Sequence, residues 1–430
     1  ATMDLDWLFL FKGKDVFYIS GVESSIDLGA DNTQYSFDNI FGSLSFASEE
    51  VVTDLNLNSI QADLIFNRSK AFINTEAKIN DELATAIEGY FGFSDSTETF
   101  KISNLLINYK DFKWQNRDTI IVVNSPSLFN INNFNLYHLH SSLLANGSIF
   151  NKSNQNFDIS LSDVSGSLLA NKFFNIDSEG TSSIINLSTK IGGTISRPNY
   201  DLNFSMEDFT IKDNYLGSLL GELRYDNKNI NVDIEFIDTL NNKGKKLLLL
   251  TGNIPMDFDI EDELFDDEDS TRNIDLILKT NGFDLASFGN SIPTIKEPSG
   301  LIDSEIFLDG QLDDFNLHGN FSAPKVKFTS TLTNLDYLVA LNLSFQKNRI
   351  EIIDSKIQNN GKTNFPGKLS LAGDVEIDGF AIKRANFLMN GNLAVLSPFS
   401  RETIPNFYGD LQIESENDWN FVYQNNKPKL

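Results

Sequence analysis

The residues whose types and spacing best suit chemistry are two histidines. His138 and His140 lie two positions apart, which on a β-strand places both imidazoles on one side and supplies two metal ligands. Most such pairs are incidental, and His318 is the only other histidine, in a chain without cysteine. A complete transition-metal site is therefore not expected, and sulfur-based redox chemistry is excluded.

Carboxylates are the second group with chemical potential. The stretch from Asp257 to Asp269 is dense enough in them to bind Ca²⁺, but it lacks EF-hand spacing, so we favour a solvated loop. Elsewhere no motif singles out the two carboxylates that a glycosidase needs. The sequence thus predicts no catalytic residue, no metal and no cofactor, and we expect a protein that is not an enzyme.

The composition indicates strands and an acidic surface. The 430 residues include 36 Phe but only 3 Trp and 4 Met, and Phe suits β-strands. With 60 acidic against 34 basic residues, the formal charge of -26 repels phosphate backbones, so we expect no nucleic-acid partner. The longest early apolar run, Trp7 to Phe11, is too short to span a bilayer. We expect any inner-membrane anchor to lie outside these residues.

Apolar and polar residues alternate strictly along most of the chain, which is typical of strands with one dry and one wet face. We predict an all-β, mostly antiparallel protein: a long curled sheet forming a groove, with one or two short helices. The side chains predicted to line the groove are Ile230, Val232, Ile234, Phe236, Ile274, Leu276, Leu278, Leu335, Tyr337, Val339, Leu341, Leu343, Phe345, Ile350 and Ile352.

Local signals add detail to the sheet. The alternation slips by one residue between Ile102 and Leu105, which predicts a β-bulge. The short polar stretches 226–229 and 346–349 predict hairpin loops. A helix is predicted over 75–90, where Ile79, Leu83 and Ile87 recur every four residues, and a short helical turn over 284–288.

Two stretches of the second half resemble each other, as repeated units do. A Gly-x-h-Ser-x-Pro-x-h pattern, in which h is an apolar residue, starts at Gly193 and again at Gly319. Gly252 and Gly373 close the two units. We predict an N-terminal part over 1–190 and a C-terminal part over 191–430, with units near 193–255 and 310–376. Chance reuse of similar turns is the alternative.

A sheet with one apolar face must cover that face with a second sheet, with helices or with an apolar ligand. Helices are scarce in the predicted structure, so a sealed sandwich, a closed barrel and an open trough remain. An open trough suits an acyl chain, because the chain then avoids the cost of about 0.8 kcal/mol per CH₂ for entering water.

The motifs of the second half resemble those of the AsmA-like superfamily, in particular the TamB-type translocation and assembly proteins of diderm bacteria, which are related to bridge-like lipid transfer proteins. The resemblance covers most of the chain. It is carried by Pro293, Gly300-Leu301-Ile302-Asp303, Leu308-Asp309-Gly310-Gln311-Leu312, Leu317-His318-Gly319-Asn320-Phe321 and the stretch from Gly192 to Tyr225.

The resemblance implies a periplasmic protein, anchored to the inner membrane, with a taco-like β-groove. It implies that phospholipid acyl chains are the cargo, carried toward the outer membrane, or that the protein supports outer-membrane assembly with a barrel protein as partner. Two other interpretations stay open. One is a surface-binding or adhesion protein built of β-sandwiches or a β-helix; the other is an all-β carbohydrate-active enzyme.

Overall fold

The chain is all-β. The computed structural model describes residues 2–12, 15–30, 40–52, 56–79, 83–94, 96–109, 112–150, 153–167, 182–211, 214–239, 245–258, 273–288, 294–311, 314–378, 381–406, 409–424 and 427–429. It is 84% strand and 3% helix, with 28 antiparallel strands assigned to one sheet, so the predicted fold class is confirmed.

The strands are numbered in chain order. They are β1 Thr2–Lys12, β2 Asp15–Ala30, β3 Ile40–Ser48, β4 Glu50–Val52, β5 Asn56–Asn67, β6 Lys70–Ile79, β7 Leu83–Ser94, β8 Thr97–Tyr109, β9 Phe112–Asn116, β10 Ile120–Ser125, β11 Leu128–His138, β12 Ser141–Phe150, β13 Asn156–Ser165, β14 Ser182–Thr194, β15 Arg197–Ile211, β16 Asn214–Asp226, β17 Asn229–Asp238, β18 Lys245–Pro255, β19 Asn273–Asp284, β20 Ile295–Ser299, β21 Leu301–Gln311, β22 Asp314–Ser330, β23 Asp336–Gln346, β24 Arg349–Gly361, β25 Lys368–Asp378, β26 Ala381–Leu396, β27 Leu411–Gln424 and β28 Lys427–Lys429.

The helical segments that the structure describes include two short 3₁₀ helices. Leu285–Phe288 confirms the helical turn predicted over 284–288, and Pro398–Glu402 was not predicted. Within the described residues, no helix has both the length and the apolar character needed to cross a bilayer.

The helix predicted over 75–90 is wrong. Residues 75–79 lie in β6 and residues 83–90 in β7, which pair with each other and with β5 and β8, while 80–82 lie outside the described residues. Leu83 and Ile87 lie on one strand, where a spacing of four residues also fits a period of two, and Ile79 lies directly opposite Leu83 on the neighbouring strand. Because neighbouring strands satisfy the backbone on both sides, the two-residue period prevails over the helical one.

The chain divides into two compact units. Unit 1 comprises Ala1–Val164 and Asn186–Tyr200, and unit 2 comprises Ser165–Ile185 and Asp201–Leu430. The boundary predicted at residue 190 lies inside β14, whose residues are shared between the units.

In unit 1, most of the strands β1 to β13 pair with their sequence neighbours. The short strands β4 and β9 interrupt this order: β3 pairs with β5, and β4 with β2 and β5, whereas β8 pairs with β10, and β9 with β8 and β11. The predicted bulge is confirmed: Glu88 pairs with Asn104 but Gly89 pairs with Ile102, which leaves Ser103 extra. The side chain of Asn116 satisfies the bulge by accepting from the Leu105 amide at 2.6 Å and donating to the Ser103 carbonyl at 3.2 Å. A bulge bends its strand and increases its twist.

In unit 2, strands β16 to β19 and β21 to β27 also form a meander, and β20 pairs with β22. Both predicted hairpins are confirmed. Asn227 and Lys228 have φ of 50° and 59°, as a type I′ turn requires. Leu335, however, precedes β23 instead of forming part of the predicted strand.

The repeated Gly-Ser-Pro pattern does not mark equivalent structures. Its first copy forms the turn between β14 and β15, whereas its second copy lies inside β22, beside a register shift between Ala323 and Val326. Gly252 and Gly373 were predicted to close units but lie in the interior of β18 and β25. Similar residue spacing therefore arose at a hairpin and at a bulge.

Gly252 and Gly373 permit a close approach between strands. Their φ values are +142° and +144°, and a Cβ at either site would overlap the carbonyl oxygen of Asp275 or Asn386 on the next strand. Only glycine combines this backbone conformation with that approach.

We therefore expect Gly252→Ala to lower the free energy of unfolding by about 3 kcal/mol or more. Gly92→Ala is the control, because Gly92 has ordinary φ and a Cβ there would lie 3.7 Å from its nearest neighbour. It should be neutral or raise stability by about 0.4–1 kcal/mol. Urea denaturation measures both, and equal effects would contradict the strand geometry.

Candidate functional site

Directly opposed residues of antiparallel strands project to the same face of the sheet. In unit 2 the registers align one apolar row across ten strands, from β16 to β26 without β20. The row consists of Gly221, Ile234, Leu250, Leu278, Ile306, Gly319, Phe345, Ile350, Val375 and Ala385. We call the side to which these residues project the inner face of unit 2.

All predicted groove residues except Leu335 lie in β17, β19, β23 and β24 on this inner face. Half-buried members are Ile230, Ile234, Phe236, Leu276, Leu278, Val339, Leu341, Leu343, Phe345 and Ile350; buried ones are Val232, Ile274, Leu335, Tyr337 and Ile352. The apolar side chains of the four strands predicted from the sequence thus project to the same face.

The intervening strands contribute inner-face residues that the sequence did not single out. They are Leu248, Leu250 and Ile254 of β18, Ile306 and Leu308 of β21, Phe315, Leu317 and Phe321 of β22, Leu369, Leu371 and Val375 of β25, and Phe387 and Met389 of β26. In β18 and β21 the alternation is hidden, because apolar residues also project outward. Phe307, for example, stacks on His318 on the outer face, with ring centroids 5.0 Å apart.

The opposite, outer face of unit 2 carries charged residues beside these apolar ones. Residues of neighbouring strands form ion pairs there, among them Lys279 with the directly opposed Glu305 at 2.6 Å and Arg349 with the diagonal Asp374 at 3.4 Å. Such exposed pairs stabilise a protein by about 0–1 kcal/mol each. Their arrangement does show which face meets water.

The inner face is sheltered but not sealed. Leu388, on the outer face of β26, is 40% exposed, whereas its inner-facing neighbour Met389 is half-buried. Outer-facing Leu220 of β16 is likewise exposed, while inner-facing Leu223 is half-buried. In a sealed sandwich, inner-facing residues such as Leu278, Ile306 and Phe345 would be largely buried, but they keep part of their surface accessible.

One end of the inner face does form a closed core. Leu335, Tyr337, Leu369, Leu393 and Ala394 are all buried and pack together, and we call this cluster the seam. Half-buried side chains of β22, β24, β26 and β27 pack around it. The seam lies at the ends of the strands, so it closes only part of the inner face.

Two polar side chains tie the seam together. Asn359 accepts from the Ala394 and Gly367 amides, each at 2.9 Å, and donates to the Ala394 carbonyl at 3.0 Å. The Tyr337 hydroxyl donates to the same carbonyl at 3.2 Å. Burial raises the pKa of Tyr337 above its ordinary value of 10.0. Its contribution to stability is therefore present below about pH 10 and is lost as the pH rises above that value.

Unit 1 has an apolar face of its own. The registers align Leu44, Leu64, Ile73, Gly89, Ile102 and Ile120 in one row. Ile102, Leu105, Ile120 and Leu136 form a buried cluster on this face. Strands with one apolar face thus occur in both units.

The structure does not bring the histidines together. His138 ends β11, with its ring centroid 5.1 Å from that of Phe112 and 5.9 Å from that of Trp114, and His140 lies in the following turn. His318 is 3.1 Å from Asp309. Within the residues that the structure describes, no cluster of three or more His, Cys, Asp or Glu could hold a metal ion. Most of the acidic stretch lies outside the described residues; Asp257 pairs with Lys228 at 2.5 Å.

Comparisons of the chain with protein-family models, curated proteins and solved structures find no match. The resemblance to the AsmA-like superfamily therefore stays a prediction that rests on the quoted motifs.

The seam makes a prediction about stability. Asn359→Ala leaves two buried amides without an acceptor and should lower the free energy of unfolding by about 3 kcal/mol. Tyr337→Phe should cost only about 1 kcal/mol, because the Ala394 carbonyl keeps Asn359 as donor.

Chemical denaturation measures both changes. Asn253→Ala, at an exposed position of β18, is the control and should stay within about 0.5 kcal/mol of the parent. If Asn359→Ala lowered the free energy of unfolding no more than Tyr337→Phe, the inference that Asn359 is the central hydrogen-bonding residue of the seam would be wrong.

Proposed function

We propose that the protein carries phospholipid acyl chains along the inner face of unit 2 and catalyses no reaction. The supporting observation is the apolar row that crosses ten strands while many of its larger side chains stay only half-buried. An apolar face of this extent needs a cover, and a hydrocarbon chain is a cover that can move along it.

The dimensions favour a conduit over a pocket. With neighbouring strands about 4.8 Å apart, ten strands extend over roughly 43 Å. The acyl chains of one leaflet fill only about 15 Å, half of the hydrocarbon core of a bilayer. The inner face is therefore longer than one chain, and a lipid on it would have several adjacent positions.

The energetics also suit transport without a chemical step. An acyl chain that moves from a bilayer to the inner face exchanges one apolar environment for another, whereas its transfer into water costs about 0.8 kcal/mol for each CH₂. No nucleophile, metal or nucleotide is required. Direction would come from the supply and removal of lipid at the two ends.

The proposed setting follows from the family resemblance. We place the protein in the periplasm, anchored to the inner membrane, with phospholipid moving toward the outer membrane. An outer-membrane barrel protein is the proposed partner. The formal charge of -26 is consistent with this setting, because it disfavours nucleic acid.

Leu343→Asp should block transfer, because a carboxylate on the inner face is costly to cover with hydrocarbon. We expect the rate of fluorescent phospholipid transfer between donor and acceptor vesicles to fall at least about tenfold, which needs only 1.4 kcal/mol. Phe345→Arg, on the same face, should act likewise.

Leu388→Asp is the matched control, because it places the same charge on the outer face, where Leu388 is already 40% exposed. It should leave transfer unchanged. Thermal unfolding of all variants separates transfer from folding. Equal losses of transfer and stability for Leu343→Asp would instead favour a sealed sandwich core, as expected for an adhesion protein.

A further inference from the structure

Unit 1 carries three connected cavities on the face opposite its apolar row, which we call the polar face of unit 1. A cavity of about 630 Å³ and one of about 540 Å³ share Glu23, Ala47 and Gln61. The second cavity shares Ser45 and Asp63 with a third of about 530 Å³. Each has the size of a small-molecule site, about 300–1,000 Å³. Together they form one continuous groove between β2 and β8, which we call the polar groove.

The strand registers explain why polar side chains line this groove. Asp63 lies opposite Asn74, and Asn74 lies opposite Glu88. Each is the sequence neighbour of a residue in the apolar row, so its side chain projects to the polar face. The positions between them carry small side chains, which leave room above the sheet: Ser43, Ser45, Ala47, Ala84 and Ala86.

One end of the polar groove has an aromatic wall. Phe72 of β6 and Tyr90 of β7 lie directly opposite each other, with ring centroids 6.1 Å apart. Lys70 and Lys101 lie over the Tyr90 ring, with their Nζ atoms 5.7 and 5.5 Å from its centre. Phe72 is 49% exposed, whereas Tyr90 is half-buried. The Phe72 ring is therefore the one that a ligand in the groove reaches.

The backbone of the groove floor is not available to a peptide. β5, β6 and β7 are each paired on both sides, so their N–H and C=O groups already bond to neighbouring strands. An extended peptide that adds to a sheet needs a free edge. Recognition in the polar groove must therefore come from side chains.

The charge of the lining selects among the remaining ligands. Among the described residues that line the three cavities, the carboxylates are those of Glu23, Glu49, Asp63, Glu76 and Glu88, and Lys78 supplies the positive charge. Such a lining repels polyanions. It suits a neutral molecule with many hydroxyl donors, because hydrogen bonds to a carboxylate are stronger than those between neutral groups.

We propose that the polar groove binds a neutral oligosaccharide. One sugar ring stacks its C–H face on Phe72, whose ring face is electron-rich, and sugar hydroxyls donate to Asp63 and Glu88. The third cavity crosses β3, β5, β6, β7 and β8, which at about 4.8 Å per strand gives roughly 19 Å, longer than one sugar ring. The site lies in unit 1 and does not depend on lipid transport by unit 2.

Binding is tested on the full chain by saturation-transfer difference NMR and calorimetry. The probes are the β-1,4-linked tetramer of N-acetylglucosamine, cellotetraose and maltotetraose, with spermidine as a cation that recognises charge alone. At least one saccharide should bind with a Kd of about 1 mM or tighter. Phe72→Ala should weaken that binding at least about tenfold, and Asp63→Asn at least about fivefold.

Two matched variants lie outside the polar groove. Phe129→Ala removes a ring that is 37% exposed on the apolar face of unit 1, and Asp158→Asn neutralises an exposed carboxylate of β13. Both should leave saccharide affinity unchanged. Thermal unfolding of all four variants distinguishes lost binding from lost folding.

Three results would overturn the inference. The first is that no saccharide binds the parent chain. The second is saccharide binding that survives both Phe72→Ala and Asp63→Asn, because the site would then lie elsewhere. The third is binding of spermidine alone, which would make the groove a general acidic surface. All three leave the proposed lipid transport untouched, since its variants lie in unit 2.

Discussion

The structure depends on one physical constraint: the sheet of unit 2 has an apolar face that the described residues cover at the seam and beside Tyr225, but leave half-buried along much of its middle. Burial of apolar surface is the main favourable term in folding, and it is normally completed by a second layer. Here the buried clusters form between strands of the same sheet, and the seam joins β23 to β26, although β24 and β25 lie between them in the sheet. The half-buried state of Leu278, Ile306 and Phe345 follows from this single-layer arrangement.

Several local features make such a sheet stable by itself. Glycines such as Gly252 and Gly373 let adjacent strands approach closely on the inner face, and bulges satisfied by side chains such as Asn116 bend the strands. The outer face carries exposed ion pairs such as Lys279 with Glu305, which can remain in contact with water. At the seam, Asn359 bonds to the backbone of Ala394 much as a neighbouring strand would.

The sequence predicted the fold class and much of the candidate site, because a two-residue period is visible wherever the outward positions are polar, as in β17, β19 and β23. It did not reveal β18 or β21, where outward residues such as Phe307 are also apolar. It misassigned β6 and β7, because a spacing of four residues fits both a helix and a strand. The seam was beyond prediction, since Tyr337 and Ala394 are separated by 57 positions and only the pairing of the strands between them brings the two together.

Native mass spectrometry of protein purified without detergent tests the central claim most directly. The account predicts that the 48.3 kDa chain carries additional masses that match phospholipids, and that delipidated protein regains them from vesicles. A chain that is always observed at its bare mass, and that takes up no acyl chains, would contradict an open apolar face.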